Sequence, residues 1–502
     1  MSTTPPEPPV SRVKRKVVGP SSPIRSPRLW HGDAPTEPIP IRDLLRHTPY
    51  RNPHTKQVAG AKREARAALD LALRVGELMF RCGAGAPQVE ASVIAVAESA
   101  GLERLELDIT NQSLIAQCST EDGERVTLVR VVRSSRRDFA RLVAVHDFVD
   151  SLVAGGYDLE GARARLREIS RAPREFPRWA ETVSLGVMAG SVSMLLGAGP
   201  SVALLAVVAA LIALWAAGRA AAWLPDFYTN AAGAGGAVLL AFAAFWAAQH
   251  LPLGVSASDF AYIVAGGIVV LLPGRTMASA FEDVLSGYPI TGAGRMFAVF
   301  LSLTGIVIGV GGGLTVALWI TEGLHLSLST PEILELRAGT APVVPALVGA
   351  FLTGVTGAIS LQTRRRLIVP SGLIAVLAVA VLHTTTGLGL GGITATGLAG
   401  VVIGFAGRLV ALQMGAPPMV LVHPGTYSLM PGLAIFRGLY DMVVNARADA
   451  GSLSLQTGIT TLLGALAMLL AIAVGTTLGD HLAALMDHDI VQSRRRGRGR
   501  VS

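Results

Sequence analysis

From about Trp179 onward the chain is a succession of apolar runs, and nothing else in it restricts the fold so tightly. Runs long enough to cross a hydrocarbon layer lie near 180–198, 201–218, 231–249, 258–273, 294–320, 341–360, 367–384, 387–407, 414–430 and 454–478. A segment in lipid must satisfy its own backbone, so runs of this length form helices. Of 502 residues, 51% are hydrophobic and only 16% charged, too little polar surface for a soluble protein of this size. The 56 glycines suit helices that approach one another closely. The expected fold is a polytopic α-helical membrane protein with ten transmembrane helices.

The polar N-terminal third is different. Residues 1–57 hold 12 of the 28 prolines and ten Lys/Arg against four Asp/Glu, so a disordered Pro/Arg-rich tail is expected there. The tail has no apolar core of a secretory signal. Its basic runs lack interleaved aromatics, which argues against nucleic acid as a partner; a solvated tail that helps keep the N-terminus inside is expected, with anionic lipid headgroups as the second reading. Residues 58–178 read as a small α/β domain with a core of its own. Helical periodicity covers 61–85 and 86–102, with Pro87 in a first turn; short strands follow at 104–110, 113–119 and 125–132, with a turn at Asp122-Gly123; helices return at 138–156 and 159–170. Cys82 and Cys118 are 36 positions apart without CxxC spacing, so two reduced thiols are expected, with no metal and no cofactor. Glu90, Asp108, His146 and Asp147 are the domain's obvious titratable groups, and no nucleophile–base or ligand spacing links them.

Charge sets the orientation. With the N-terminal domain cytoplasmic, the inner connections hold Arg219, Arg275, Arg295, Arg364-Arg365-Arg366 and Arg408, and the tail SRRRGRGR also falls inside. The outer connections hold Arg337, Arg437 and Arg447 among Glu322, Glu332 and Glu335. That asymmetry follows the positive-inside rule, supports an even number of spans and keeps both termini cytoplasmic.

One element occurs twice. A shift of 158 residues carries LLPGRTMASAFEDV (271–284) onto LMPGLAIFRGLYDM (429–442). It superposes Pro273-Gly274 on Pro431-Gly432, and Val264, Gly267, Leu271 and Asp283 on Val422, Gly425, Leu429 and Asp441. Five spans per copy make consecutive copies point in opposite directions, the inverted-repeat plan of secondary transporters. The expected order is tail 1–57, α/β domain 58–178, first repeat 179–320, extracytoplasmic linker 321–340, second repeat 341–480 and basic cytoplasmic tail 481–502. Short, Gly/Pro-broken spans at matching positions point to the transport site. Broken backbone at membrane depth is tolerated only in protein or beside a wet cavity. The alternative is a surface helix after each break, with Arg437 and Asp441 as an ordinary i, i+4 ion pair. Recurrence of the aspartate favours the buried reading.

The substrate and ion pathway is therefore expected to use Asp283, Asp441, Glu282, Arg275, Arg437 and His423, around helix breaks at Pro273, Gly274, Pro431 and Gly432. His423 precedes Pro424-Gly425 inside an apolar segment, where an interfacial role explains it least. Asp441→Asn is expected to damage transport more than Asp283→Asn, because Glu282 adjoins Asp283 as a second acceptor. The glycine runs at 309–313 and 384–392 lack a phosphate-binding context and suit helix packing.

The stretch GELMFRCGAGAPQVEASVIAVAESAGL, the strands, and RRDFARLVAVHDFVDSLVAGGYDLEGARARLREI together resemble the cytoplasmic domain of the threonine/serine exporter family. The likeness covers nearly everything after residue 60. That family joins such a domain to ten transmembrane helices in two halves. Its members often carry a hydroxyl residue and an arginine just before the Val-Glu that is Val89-Glu90 here. Ala86, Pro87 and Gln88 stand in that region instead, so roles held by those side chains elsewhere do not transfer. The resemblance implies a non-enzymatic secondary transporter of the inner (plasma) membrane that exports small amino acids, threonine and serine. A zwitterion needs an acceptor for its ammonium and donors for its carboxylate, which the aspartates, the arginines and helix N-termini supply. No GxxxxGK[ST] loop is present, so an ion gradient, protons above all, is the expected driver. Two alternatives stand beside it: export of small dicarboxylates, which favours the arginines, and a membrane-anchored hydrolase using Glu90 and Asp108. The oligomeric state, homo-oligomer or monomer, stays open.

Overall fold

The structure, a computed structural model, describes residues 62–102, 104–110, 113–119, 125–132, 138–250, 257–323, 342–447 and 452–486. The expected tail 1–57, the turn at Asp122-Gly123, the linker beyond Gly323 and the basic tail beyond Met486 lie outside the described residues.

The first elements are α1 (Lys62–Cys82), α2 (Ala86–Ser99), β1 (Leu105–Thr110), β2 (Ser113–Ser119), β3 (Arg125–Val131), α3 (Phe139–Val153) and α4 (Leu159–Arg171). The strands form one antiparallel sheet in the order β1-β2-β3, with Leu105 opposite Cys118 and Ser113 opposite Val131. Alternation buries Leu114, Ala116 and Cys118 of β2 and turns Ile115 outward, as a sheet covered on one face requires. α1 lies on that covered face; Gly76 leaves room for Leu114 and Val93 to meet it. α1 stops at Gly83, whose φ of 100° is open to glycine and closed to most side chains. Asp138 and Asp158 cap α3 and α4 by accepting from Arg141 N and Gly161 N.

The apolar part follows as α5 (Arg178–Leu195), α6 (Pro200–Ala220), α7 (Asp226–His250), α8 (Ala257–Val269), α9 (Gly274–Leu285) and α10 (Pro289–Gly323). Then come α11 (Val343–Ser360), α12 (Ile368–Gly387), α13 (Gly392–Met414), α14 (Met419–Thr426), α15 (Gly432–Arg447) and α16 (Ser452–Ala484). Eight of the described helical segments are long and apolar enough to cross a membrane: 200–220, 227–247, 289–320, 343–360, 365–387, 392–414, 419–442 and 456–484. Two expected spans, 180–198 and 258–273, are not among these eight. α5 opens on Arg178 and Glu181, and α8 has 13 residues, about 20 Å of helix, because the chain breaks before Pro273.

The helices are interrupted beside both Pro-Gly pairs. α8 ends at Val269 and α9 begins at Gly274; α14 passes through a short 3-10 turn, Tyr427–Leu429, and α15 begins at Gly432. Proline has no N–H to continue the helix and restricts the residue before it. The most apolar 18-residue stretch of 419–442 is 94% buried, whereas the corresponding stretches of the other seven are at most 50% buried. A helix facing lipid keeps an apolar outer side, so this broken one is an interior element.

Packing follows one scheme in both halves. α5 packs on α6 and α8, and α11 on α12 and α14. α7 lies against α10 and α13 against α16; α9 touches α10 and α15 touches α16. The contacts between halves are reciprocal: α5 with α11, α9 with α16, α15 with α10, α8 with α15 and α14 with α9. Glycine permits the closest approaches. A Cβ on Gly404 of α13 would lie 2.0 Å from the Thr476 carbonyl of α16, and one on Gly309 of α10 would lie 2.2 Å from the Ala231 carbonyl of α7.

Candidate functional site

The helix breaks bring α9 and α14 to the underside of the α/β block, and there the two parts of the chain join. The N-terminus of α2 points at α9: Ala86 N donates to Asp283 Oδ1 at 2.8 Å. A helix start has unsatisfied N–H groups and partial positive charge, so a carboxylate supplied from 197 residues away acts as its cap. Arg295 of α10 holds the other Asp283 oxygen at 2.5 Å, with its guanidinium 4.8 Å from the centre of the Phe80 ring. Tyr288 donates to Glu90, and Thr291 donates to the Ile109 carbonyl at 3.0 Å. Burial holds the Glu90 carboxyl above its ordinary range, against the lowering effect of the Tyr288 hydroxyl.

A second joint closes the opposite flank. Phe139 N and Ala140 N, at the start of α3, donate to the carbonyls of Leu361 and Gln362 at 3.0 and 2.8 Å. Gln362 takes φ of 56°, and its Oε1 accepts from Phe176 N at 2.8 Å. Arg364 pairs with Asp147 at 2.8 Å.

Between the joints lies a cavity of about 440 Å³. α2 contributes Gln88 and Ser92, α9 contributes Glu282, α13 Arg408, α14 His423, and α16 Thr476 and Asp480. Arg408 and Asp480 pair at 2.8 Å across the close α13–α16 contact. The Glu282 carboxyl lies beside Gly85 at the start of α2, 3.4 Å from where a Cβ there would stand. His423 is buried and stacks on Phe139 with centroids 6.0 Å apart. One guanidinium, two carboxylates, imidazole and hydroxyl groups thus meet in a space of small-molecule size.

The predicted residues divide. Glu282 and His423 line the cavity. Asp283 is fully buried in the joint with α2 and α10 and does not line it. Asp441 is buried on α15, one turn beyond Arg437, and neither lines this cavity. Arg275 stands in the first turn of α9. Glu90 is engaged by Tyr288, while Asp108 is exposed on β1, so the structure does not join them as an acid–base pair. Arg408, Asp480, Gln88 and Ser92 were not among the predicted site residues. A signal existed for the first two: each is the single Asp, Glu, Lys or Arg of its long apolar helix, an expensive residue type in lipid. Nothing in the local sequence of α2 marks Gln88 and Ser92, which reach the cavity only through docking.

Fold and site together define a polytopic helical membrane protein with a polar cavity against an α/β block. The family model described as "Putative threonine/serine exporter" matches residues 70–317, and that described as "Threonine/Serine exporter, ThrE" matches 346–481. The chain is 31% identical to the "Probable threonine/serine exporter" of Mycobacterium tuberculosis, over 84% of this chain and 77% of the relative. It is 29% identical to the "Threonine/serine exporter" of Corynebacterium glutamicum, over 89% of this chain and 86% of that protein. No solved structure matches. The chain belongs to the threonine/serine exporter family.

Proposed function

We propose that the protein is a secondary transporter that exports threonine and serine across the inner membrane, driven by protons. The observation that carries this reading is the cavity in which Arg408, Asp480 and Glu282 meet. A guanidinium presents paired donors to a carboxylate, and the two acids accept from an ammonium, so the set matches a zwitterion. Two carboxylates in the same space count against a dicarboxylate. Both relatives carry names that give threonine and serine as the exported molecules. Carboxylates and imidazole in one cavity are groups able to exchange a proton as the site changes sides, which supports proton coupling.

The proposed architecture is ten spans in two five-helix inverted repeats, about 180–320 and 341–478, with α5 to α10 matched by α11 to α16. The reciprocal packing of α9 on α16 and α15 on α10 supports a two-fold relation, because such an axis makes every contact occur twice. On this reading the α/β block, residues 58–178, is cytoplasmic, and the cavity beneath it is the inward-facing site. An introduced cysteine in the block that reacts with an impermeant reagent on intact cells overturns that orientation.

The test of function is counterflow of labelled threonine by the full chain in proteoliposomes, against a panel of amino acids and dicarboxylates. Threonine and serine are expected to exchange, with Arg408→Gln and Glu282→Gln each losing flux per molecule. Exchange of dicarboxylates without exchange of threonine overturns the reading.

A further inference from the structure

The α/β block contributes more than a mount to the cavity, because α2 sends two side chains into it that each hold a buried oxygen without a hydrogen-bond partner among the described residues. Gln88 and Ser92 are spaced i, i+4, so they stand one above the other on a single helix face. Gln88 Oε1 and Ser92 Oγ are both buried, and neither has a hydrogen-bond partner among the described residues. A helical serine shielded from water ordinarily bonds back to a carbonyl three or four residues earlier, as Ser184, Ser191, Ser360 and Ser371 do here. Ser92 is 1% exposed and does not. A buried polar group left without a partner is destabilising, so two of them side by side on a cavity wall describe a site that a ligand completes.

We propose that Gln88 and Ser92 read the side-chain hydroxyl of the transported amino acid, and that the α/β block is therefore part of the substrate site. The inference rests on the transport reading above and adds to it the residues that set selectivity. The chemistry is specific. An alcohol has one donor and free acceptor capacity; it gives its proton to Gln88 Oε1 and accepts the hydroxyl proton of Ser92. A methyl group of the same size satisfies neither. A site built to bond a hydroxyl rejects the isostere that lacks it far more strongly than an apolar pocket rejects the reverse change. Arg408, Asp480 and Glu282 remain for the charged ends common to all amino acids, so the two tasks fall to different elements.

The experiment compares threonine with valine, its isostere with methyl in place of hydroxyl, in counterflow by the reconstituted full chain. Wild-type protein is expected to prefer threonine by at least about tenfold. Gln88→Met keeps length and removes the acceptor; Ser92→Ala removes the hydroxyl without adding bulk and suits a helix. Each is expected to lower threonine flux while sparing valine flux, shrinking the ratio by about tenfold or more. The ratio is read per molecule in the membrane, so reduced folding lowers both fluxes and leaves it unmoved. An unchanged ratio in both variants, or a wild type that carries valine as well as threonine, overturns the assignment alone. Wild-type protein that moves neither amino acid overturns the transport reading and this assignment with it.

Discussion

Replacing Gly404 with alanine tests whether packing between α13 and α16 holds the charged groups of the cavity in place. The added Cβ would stand 2.0 Å from the Thr476 carbonyl oxygen and 2.9 Å from Asp480 N. Both are backbone atoms of a long helix and have no rotamer through which to yield. Ordinary contact begins at 3.4 Å, so the two helices must part locally by about 1.4 Å. Arg408 is one turn beyond Gly404, and Asp480 one turn beyond Thr476. Their 2.8 Å pair therefore opens to about 4.2 Å, past hydrogen-bonding range. Overpacking of this kind costs roughly 1–3 kcal/mol in stability. Misplacing a binding group by about 1 Å costs on the order of a hundredfold in rate. Threonine counterflow per molecule is accordingly expected to fall ten- to a hundredfold in Gly404→Ala. Gly464→Ala is the control: it lies on the same α16, and its Cβ meets nothing within 4 Å. Gly404→Ala that transports as well as Gly464→Ala refutes the reasoning.

Three further outcomes are expected. Asp283→Asn leaves Arg295 without its counter-charge and is expected to destabilise the full chain by roughly 3 kcal/mol in mixed-micelle unfolding. The double change Asp283→Asn/Arg295→Gln should cost less than the sum of the single changes, and strict additivity refutes the pair. Burial keeps the Glu90 carboxyl above its ordinary 4.5, so the folded form binds the extra proton and stability falls as pH rises from 4.5 through the folded value. Glu90→Gln keeps an acceptor for Tyr288 and is expected to exceed wild type in stability at neutral pH and lose that advantage below about pH 4; a pH-independent difference sinks the account. Burial pushes the Cys82 thiol up to about 12, with Asp138 adding to the rise and Arg141 and Arg81 opposing it, and burial also raises Cys118. Neither is expected to react with maleimide at neutral pH until the protein is unfolded, which mass spectrometry of labelled protein reads directly.

Much of this molecule is legible in one dimension because its strongest constraints are local. A long apolar run has one way to satisfy its backbone in lipid, so most of the membrane helices could be drawn from the sequence. Proline has no N–H with which to continue a helix, and the chain breaks after Val269 and around Pro431, beside its two Pro-Gly pairs. Period-two and period-3.6 patterns likewise mark the strands and helices of 62–171 to within a few residues. The duplicated aspartates were equally visible, yet sequence could not say what each would meet. Asp283 and Glu282 are neighbours in the chain, yet the tertiary structure ties Asp283 to Ala86 N and Arg295 and leaves Glu282 to face the cavity. Adjacent helical residues point about 100° apart, so a neighbour in sequence is not a neighbour in space. Arg408 and Asp480 are 72 residues apart, and Gln88 is further from both. Only the close approach of α13 to α16 and the docking of α2 on α9 make one cavity of them. Local chemistry determines where a chain turns and which segments enter lipid, whereas a binding site is made by groups whose separation along the chain carries no information about their separation in space.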